Sequence, residues 1–310
     1  MKLRIIFMGT PEYAVPYLEG LIQAGMKPVA VLSQPDRSQG RKQIVEPTPV
    51  KKFALSYDIS VLQPEDIRME GWTETIRELA PDVIVVVAFG QIIPRTILDI
   101  PPKGCVNVHP SLLPKYRGAA PLQEAILHDE KETGVSIMLM DEKMDHGPIL
   151  AQEKMPLAED ETLNSLRKKT TAVGVPLLVD TLTKLLEGRL TPKPQDDSQA
   201  SYTQLLTRES GRIDWSRPAR KIECQVRALN PWPGTWTEWN GKRLKILKIR
   251  VADEVTSTHA PLGELFAFPS AHQLFVPCGK GEHLEITELQ PEGKKPMSAK
   301  EFLNGGYLAC

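Results

Sequence analysis

The sequence predicts an α/β protein in two parts: a larger N-terminal domain around a largely parallel sheet, then a smaller C-terminal β-barrel. Three observations predict it. Strand-like and helix-like stretches alternate over the first 190 or so residues, the mark of a parallel sheet with crossover helices. Residues 82–89 (Asp-Val-Ile-Val-Val-Val-Ala-Phe) are almost wholly apolar and β-branched, as in a strand buried on both faces. Residues 191–199 are Pro-rich, polar and free of large apolar side chains, and beyond them the strands become short and closely punctuated by Gly and Pro.

In order along the chain, residues 3–8 form a compact apolar run that ends at Gly9-Thr10-Pro11. Leu18, Leu21 and Ile22 then follow helical spacing, and residues 29–32 read as a second buried strand before a polar loop at 33–49. Further strands are read at 82–89, 105–108, 135–140 and 149–155, and one long helix runs from Thr162 to a stop at Gly188. After the Pro-rich stretch come a helix over 218–229 and strands at 235–239, 244–251, 263–268, 274–277 and 284–289. The expected division is a Rossmann-like catalytic domain over 1–189, a linker over 190–204 and an OB-like domain over 205–310.

Bulk properties narrow the function. Hydrophobic residues make up 41% of the 310, and the formal charge is −1, so any nucleic-acid role must rest on a local patch. Cys105, Cys224, Cys278 and Cys310 lie far apart, which argues against a zinc site or a disulfide framework. The N-terminal apolar run is too short for a signal peptide, and no stretch approaches a membrane span of about 20 apolar residues. A cytosolic monomer that does not engage membranes is the expectation. There is no Gly-x-Gly-x-x-Gly after the first strand, no Walker-type Gly-Lys-Ser/Thr and no His-Glu-x-x-His. Gly9-Thr10-Pro11 reads as an ordinary strand-to-helix turn, not as a dinucleotide site.

Two stretches carry polar groups where a ligand would sit. In Asn107-Val108-His109-Pro110-Ser111-Leu112-Leu113-Pro114-Lys115-Tyr116-Arg117-Gly118, Asn107 and His109 are two apart at the end of a strand and share a face. An amide beside an imidazole can polarise a carbonyl and stabilise an oxyanion; a strand-end Asn and His can equally bond nearby backbone. Asp145 sits in a Gly/Pro turn, Asp145-His146-Gly147-Pro148, between two strands. It is either a solvated turn carboxylate or, if it reaches His109, the group that orients that ring.

Together, Asn107-x-His109-Pro110-Ser111-Leu112-Leu113-Pro114-x-x-Arg117-Gly118 and Asp145-x-Gly147-Pro148 resemble the signature of the formyltransferases that use 10-formyltetrahydrofolate. The resemblance implies acyl transfer with no metal and no covalent intermediate. A substrate amine attacks the formyl carbon, a tetrahedral oxyanion forms and tetrahydrofolate leaves. By that resemblance a protonated His109 and Asn107 would donate to the oxyanion, and Asp145 would keep His109 charged and help move the amine's proton. The turn Ser111, Leu112, Leu113 and Pro114 would contact the folate, with Phe89, Gly90 and Asp141 completing a largely backbone-lined pterin pocket.

Members of this family act on methionyl-tRNA, glycinamide ribonucleotide or amino sugar nucleotides, and a non-catalytic folate or RNA binder on the same scaffold is the competing class. The resemblance to the branch that formylates initiator methionyl-tRNA covers nearly the whole chain. It includes Gln34-Pro35-Asp36-Arg37 and, far downstream, Arg227-Ala228-Leu229-Asn230-Pro231-Trp232-Pro233-Gly234. His109-Pro110-Ser111 and Asp145-His146-Gly147 also occur in relatives with other substrates. From Arg208 to Arg250, eleven Lys and Arg face only Glu209, Asp214, Glu223 and Glu238, an excess suited to phosphate contacts. Lys245 and Lys248 in that region, and Arg41 and Lys42 in the loop after Asp36, are the expected tRNA contacts.

Overall fold

The computed structural model describes residues 3–39, 44–252, 255, 260–268 and 272–308. Contacts divide the chain into two units. The first comprises Met1–Pro121, Glu132–Pro156 and Arg167–Thr203; the second comprises Leu122–Lys131, Leu157–Leu166 and Gln204–Cys310. In chain order the elements begin with β1 (Ile5–Gly9), α1 (Val15–Gln23), β2 (Ala30–Leu32), β3 (Arg37–Gln39), β4 (Ile44–Glu46), α2 (Pro49–Ser56), β5 (Ser60–Leu62) and α3 (Trp72–Glu78). They continue with β6 (Val83–Val87), α4 (Arg95–Leu98), β7 (Cys105–His109), α5 (Pro121–Leu127), β8 (Glu132–Leu139), β9 (Ile149–Pro156) and α6 (Leu163–Leu186).

The first unit is built on a seven-stranded sheet of order β5-β2-β1-β6-β7-β8-β9. The five strands from β5 to β7 pair in parallel, and β8 and β9 join antiparallel. Strand alternation sends Ile5 and Phe7 of β1 to one face, against α1 and α6, while Ile6 and Met8 face the other. The two faces of β6 divide in the same way, Val83, Val85 and Val87 against Ile84 and Val86, so its run of β-branched residues is buried throughout. That double burial is why its sequence lacks polar alternation.

Strand order reverses at β1, where β2 leaves on one side and β6 on the other. Such a switch point opens a crevice at the carboxyl ends of the strands. Here Gly9 is obligatory, because a Cβ would stand 2.7 Å from the Phe7 ring and 3.0 Å from the Val87 carbonyl. The next residue, Thr10, donates its hydroxyl to the Phe89 carbonyl (2.8 Å) and accepts from the Gln34 amide (3.2 Å), stitching the ends of β1, β2 and β6 together. The turn at Gly9-Thr10-Pro11 therefore serves as a brace. The polar loop expected at 33–49 carries a short hairpin, β3 with β4.

The second unit carries the all-β pattern expected of the C-terminal part as an antiparallel sheet. Its elements are α7 (Ala219–Leu229), β10 (Thr235–Trp239), β11 (Lys242–Val251), β12 (Phe266–Phe268), β13 (Gln273–Pro277), β14 (His283–Pro291), β15 (Met297–Ser298) and α8 (Ala299–Asn304). Sheet order is β10-β11-β14-β13-β12, with β15 on β14. Leu244, Ile246, Leu274, Val276, Leu284, Ile286 and Leu289 pack with Ile222 and Val226 of α7 and Phe302 of α8. A box of Ser298 and Glu301 caps α8, satisfying its orphan amides. Register shifts between Ile246 and Lys248 and between Lys248 and Ile249 interrupt the pairing of β11 with β14, so Arg243, Lys245, Lys248 and Arg250 are all exposed.

Ile84 is fully buried in the centre of the first sheet. Ile84→Ala removes three buried carbons and leaves a cavity, so it should lower stability by about 2–5 kcal/mol. Denaturant unfolding of the purified variant measures this; a loss below about 1 kcal/mol would contradict so tight a core.

Candidate active site

Alternation along β7 places Val106 and Val108 in the core shared with α1 and α6, and Cys105 in the core on the other face. Asn107 and His109 therefore project on the Cys105 side, as their spacing predicts. His109 is 4% exposed. Its Nε2 lies 2.9 Å from the Tyr116 carbonyl, and a carbonyl only accepts, so that nitrogen carries a hydrogen. The other ring nitrogen, Nδ1, stands 3.6 Å from Oδ2 of Asp145.

Asp145 arrives on the loop between β8 and β9 and joins the group. Its Oδ1 accepts from the Asn107 side-chain amide at 3.2 Å, and its Oδ2 accepts from the Gly118 backbone amide at 2.8 Å. Amide, imidazole and carboxylate thus converge from two segments, strand β7 and the loop between β8 and β9. The loop returns sharply at Gly147, where a Cβ would meet the Leu139 carbonyl at 2.0 Å. A proton acceptor beside two potential oxyanion donors is the equipment of acyl transfer.

The other expected ligand residues fall around this group. Phe89 and Gly90 follow the carboxyl end of β6, the strand next to β7. Their carbonyls accept from the Gln34 side chain, at 3.4 and 2.9 Å. The turn Ser111-Leu112-Leu113-Pro114 contains a cis peptide before Pro114. Its shape is set by a fully buried Ser136, which accepts from the Leu113 amide (3.1 Å), donates to the Ser111 carbonyl (2.6 Å) and accepts from Gln152 (2.8 Å). Ser111 donates to the Lys115 carbonyl at 2.7 Å. Asp141 is held inside its own loop, by the Lys143 amide (2.9 Å) and by Nδ1 of His146 (2.6 Å).

Several participants carry no local sequence signal. Arg117 lies in the recognisable motif, yet its role emerges only in three dimensions. Its side chain is 1% exposed and is met by residues 195–202: it donates to Oε1 of Gln195 (3.1 and 2.9 Å), to Oδ1 of Asp197 (2.7 Å) and to the Tyr202 hydroxyl (3.2 Å). Backbone bonds support this contact, from the Arg117 amide to the Ser201 carbonyl (2.8 Å) and from the Thr203 amide to the Arg117 carbonyl (2.7 Å). A two-way bridge of 2.8 Å bonds joins Lys193 to Ile149.

Of the expected tRNA contacts, Lys245 and Lys248 are exposed on β11, and Lys248 pairs with Glu288 of β14 at 2.6 Å. Arg41 and Lys42 lie outside the described residues. Cys105, Cys224 and Cys278 are buried, and burial pushes the Cys105 thiol up to about 12. Cys310 lies outside the described residues. Among the described residues, no cluster of three or more His, Cys, Asp or Glu could hold a metal ion, and no helix is long and apolar enough to cross a membrane.

Comparisons with known proteins bear on these residues. Residues 1–182 match the formyl transferase family model, and residues 205–306 match the model of the formyl transferase C-terminal domain. A methionyl-tRNA formyltransferase of Pelobacter propionicus is 51% identical over 305 residues, 98% of this chain and 94% of that protein. Another, of Enterococcus faecalis, is 46% identical over 97% of this chain and 96% of its own length. Among solved structures, HypX from Aquifex aeolicus in complex with tetrahydrofolic acid aligns with a TM-score of 0.67 at 17% identity, over 100% of this chain and 48% of that one. The sugar 3N-formyl transferase WlaRD, solved with dTDP and 5-N-formyl-tetrahydrofolate, aligns with a TM-score of 0.67 at 20% identity, over 95% of this chain and 100% of that one.

The hydrogen bond from Arg117 holds Asp197 below the usual carboxylate range, with the neighbouring His146 adding to the effect. A carboxyl depressed in the folded state stabilises its contact above the ordinary value of about 3.9, and the contribution is lost as pH falls from there through the depressed value. Amides of residues 195–203 should therefore be more protected from hydrogen exchange in the wild type than in Asp197→Asn at pH 6. The difference should vanish below the depressed value. A gap independent of pH would show that the ion pair does not hold this segment.

Proposed function

The chain belongs to the formyl transferase family, and from that premise we propose that it transfers the formyl group of 10-formyltetrahydrofolate to the α-amino group of initiator methionyl-tRNA. The convergence of Asn107, His109 and Asp145 at the carboxyl end of β7 carries the chemistry. The methionyl-tRNA acceptor is supported by similarity that runs through both parts of the chain to enzymes of that name.

In this reading the folate lies along the turn Ser111, Leu112, Leu113 and Pro114 and the ends of β6, with Phe89, Gly90 and Asp141 at the pterin. The amine nitrogen attacks the formyl carbon, and the carbonyl electrons move onto oxygen. Asn107, through the side-chain N–H that Asp145 does not take, and a protonated His109, through Nδ1 because Nε2 serves the Tyr116 carbonyl, donate to that oxyanion. As it collapses, the bond between the carbon and the folate nitrogen breaks. That nitrogen takes the electron pair and gains the proton lost by the amine, which Asp145 passes on directly or through water. Lys245 and Lys248, with Arg41 and Lys42, meet tRNA phosphates. The Lys248–Glu288 pair joins an exposed lysine to a half-buried glutamate and contributes about 0–1 kcal/mol, so a phosphate can replace the glutamate.

Incubation with methionyl-tRNA and 10-formyltetrahydrofolate should yield N-formylmethionyl-tRNA. Release of tetrahydrofolate with an amino sugar nucleotide but not with methionyl-tRNA would overturn the acceptor. His109→Ala should cut turnover by about a hundredfold or more with little change in folate affinity. Asp145→Asn, equal in shape, should abolish most activity in a folded protein. Near-normal turnover in either variant would remove that residue from the mechanism.

Binding of tRNA should weaken steeply as salt rises, because it releases counterions. Reversing charge with Lys245→Glu and Lys248→Glu should lower tRNA affinity and flatten that slope while folate binding stays constant. A slope equal to that of the wild type would take β11 out of the tRNA interface.

A further inference from the structure

We propose that Gln195 is a positioning residue for Asp145: its side-chain amide, locked by Arg117, holds the turn from 145 to 147 and thereby sets where the Asp145 carboxylate stands. The inference rests on the formyl-transfer reading of the site.

The Gln195 amide is used completely. Its nitrogen donates to the carbonyls of Asp145 and Gly147, both at 2.8 Å. Its oxygen accepts two N–H groups of Arg117, at 3.1 and 2.9 Å. A guanidinium has only donors and a carbonyl only accepts, so the amide fits in one orientation and cannot flip. Its carbonyl end is fixed by a side chain that is 1% exposed, and its nitrogen end therefore has little freedom.

The turn needs such a hold. Asp145 has φ 47°, a left-handed conformation that an Asp adopts more readily than most residues but that local hydrogen bonds must support. Released, its backbone would relax toward ordinary φ and swing the carboxylate away from Asn107, His109 and Gly118. The arrangement also couples two segments that the reaction needs together. Arg117 adjoins Tyr116, whose carbonyl fixes His109, and Gly118, whose amide binds Asp145. One side chain from a Pro-rich stretch that otherwise resembles a tether thus links the imidazole's anchor to the carboxylate's backbone.

Gln195→Leu removes all four bonds at similar size. Gln195→Glu keeps the acceptor toward Arg117 but sets a carboxylate oxygen against two carbonyls, and it guards against a folding defect in the first variant. In the full chain, each should lower kcat for methionyl-tRNA by about tenfold or more while KM for both substrates stays within about twofold, because the loss arises in the geometry of the reacting groups. Added to Asp145→Asn, Gln195→Leu should cost nothing further, since both act through one carboxylate. Independently of activity, the Gly118 amide should exchange about tenfold faster in Gln195→Leu, while amides of β6 and β7 keep their protection. Additive losses in the double variant, or unchanged Gly118 exchange, would overturn the role of Gln195. A wild-type chain that formylates no methionyl-tRNA would instead overturn the preceding reading, and Gly118 exchange would still decide whether Gln195 positions Asp145.

Discussion

A buried guanidinium tolerates no empty side. Removing Arg117 from water is costly unless its N–H groups are met by acceptors, and a side chain that is 1% exposed collects Gln195, Asp197 and the Tyr202 hydroxyl to meet them. Burial works against its charge, yet the bonds to Asp197 and Tyr202 outweigh that effect and leave it more firmly protonated than usual. The demand for partners draws residues 195–203 onto the turn at 116–118. With that segment in place, Gln195 reaches the Asp145 loop and Ser201 reaches the Tyr116 amide. Satisfying one charge at Arg117 thereby supports the Tyr116 carbonyl that bonds His109.

How much of this was legible depended on whether a signal was local. Asn107 and His109 share a face because they are two apart on a strand, and two-residue periodicity shows in any sequence. Residues 82–89 announced a central strand because burial on both faces leaves no polar alternation. The long helix after Thr162 showed in its leucine spacing and is α6. Strand β5, by contrast, is short and half exposed, with no pattern to mark it, and α2 is marked only by its start, Thr48 as cap and Pro49 at the first helical position, which also suits a polar loop. Ser136 and Gln152 shape the turn at 111–114 from strands β8 and β9, where a Ser and a Gln look like ordinary polar positions. Gln195 lies 78 residues from Arg117, and no spacing rule joins them. Its neighbourhood looked like a tether because Pro and polar residues suit a tether; they equally suit a strap that docks through backbone bonds and needs no apolar anchors.

Counting charge along the sequence shows the same limit. The cations from 208 to 250 outnumber the acids there, but strands pair residues remote in sequence. Arg250 meets Glu285 and Lys248 meets Glu288, both on β14, while Arg220 is bonded to Asp129. The net field of the region is therefore weaker than the count suggests. Its pattern is sharper, however: because of the register shifts on β11, Arg243, Lys245, Lys248 and Arg250 are exposed along one strand. Of these four, Lys248 and Arg250 are ion-paired, and Lys245 has no ion pair among the described residues.

Backbone strain traces the edge of the site. Ala88, Tyr116 and Asp145 have φ of 49°, 61° and 47°; for Ala88 and Tyr116 this costs about 1–2 kcal/mol relative to an ordinary conformation, and for an Asp less. Two of the three are visibly held. Tyr116 gives its amide to Ser201 and its carbonyl to His109, each at 2.9 Å, and the Asp145 carbonyl takes the Gln195 amide at 2.8 Å. Strain sustained in this way stores order instead of flexibility. A formyl group in transfer develops charge on oxygen within one step, and donors that had to reorient at that moment would give back much of what they contribute. In the proposed mechanism, holding Tyr116 and Asp145 in left-handed turns before substrate arrives, where they bond His109 and Asn107, places that reorganisation cost in folding.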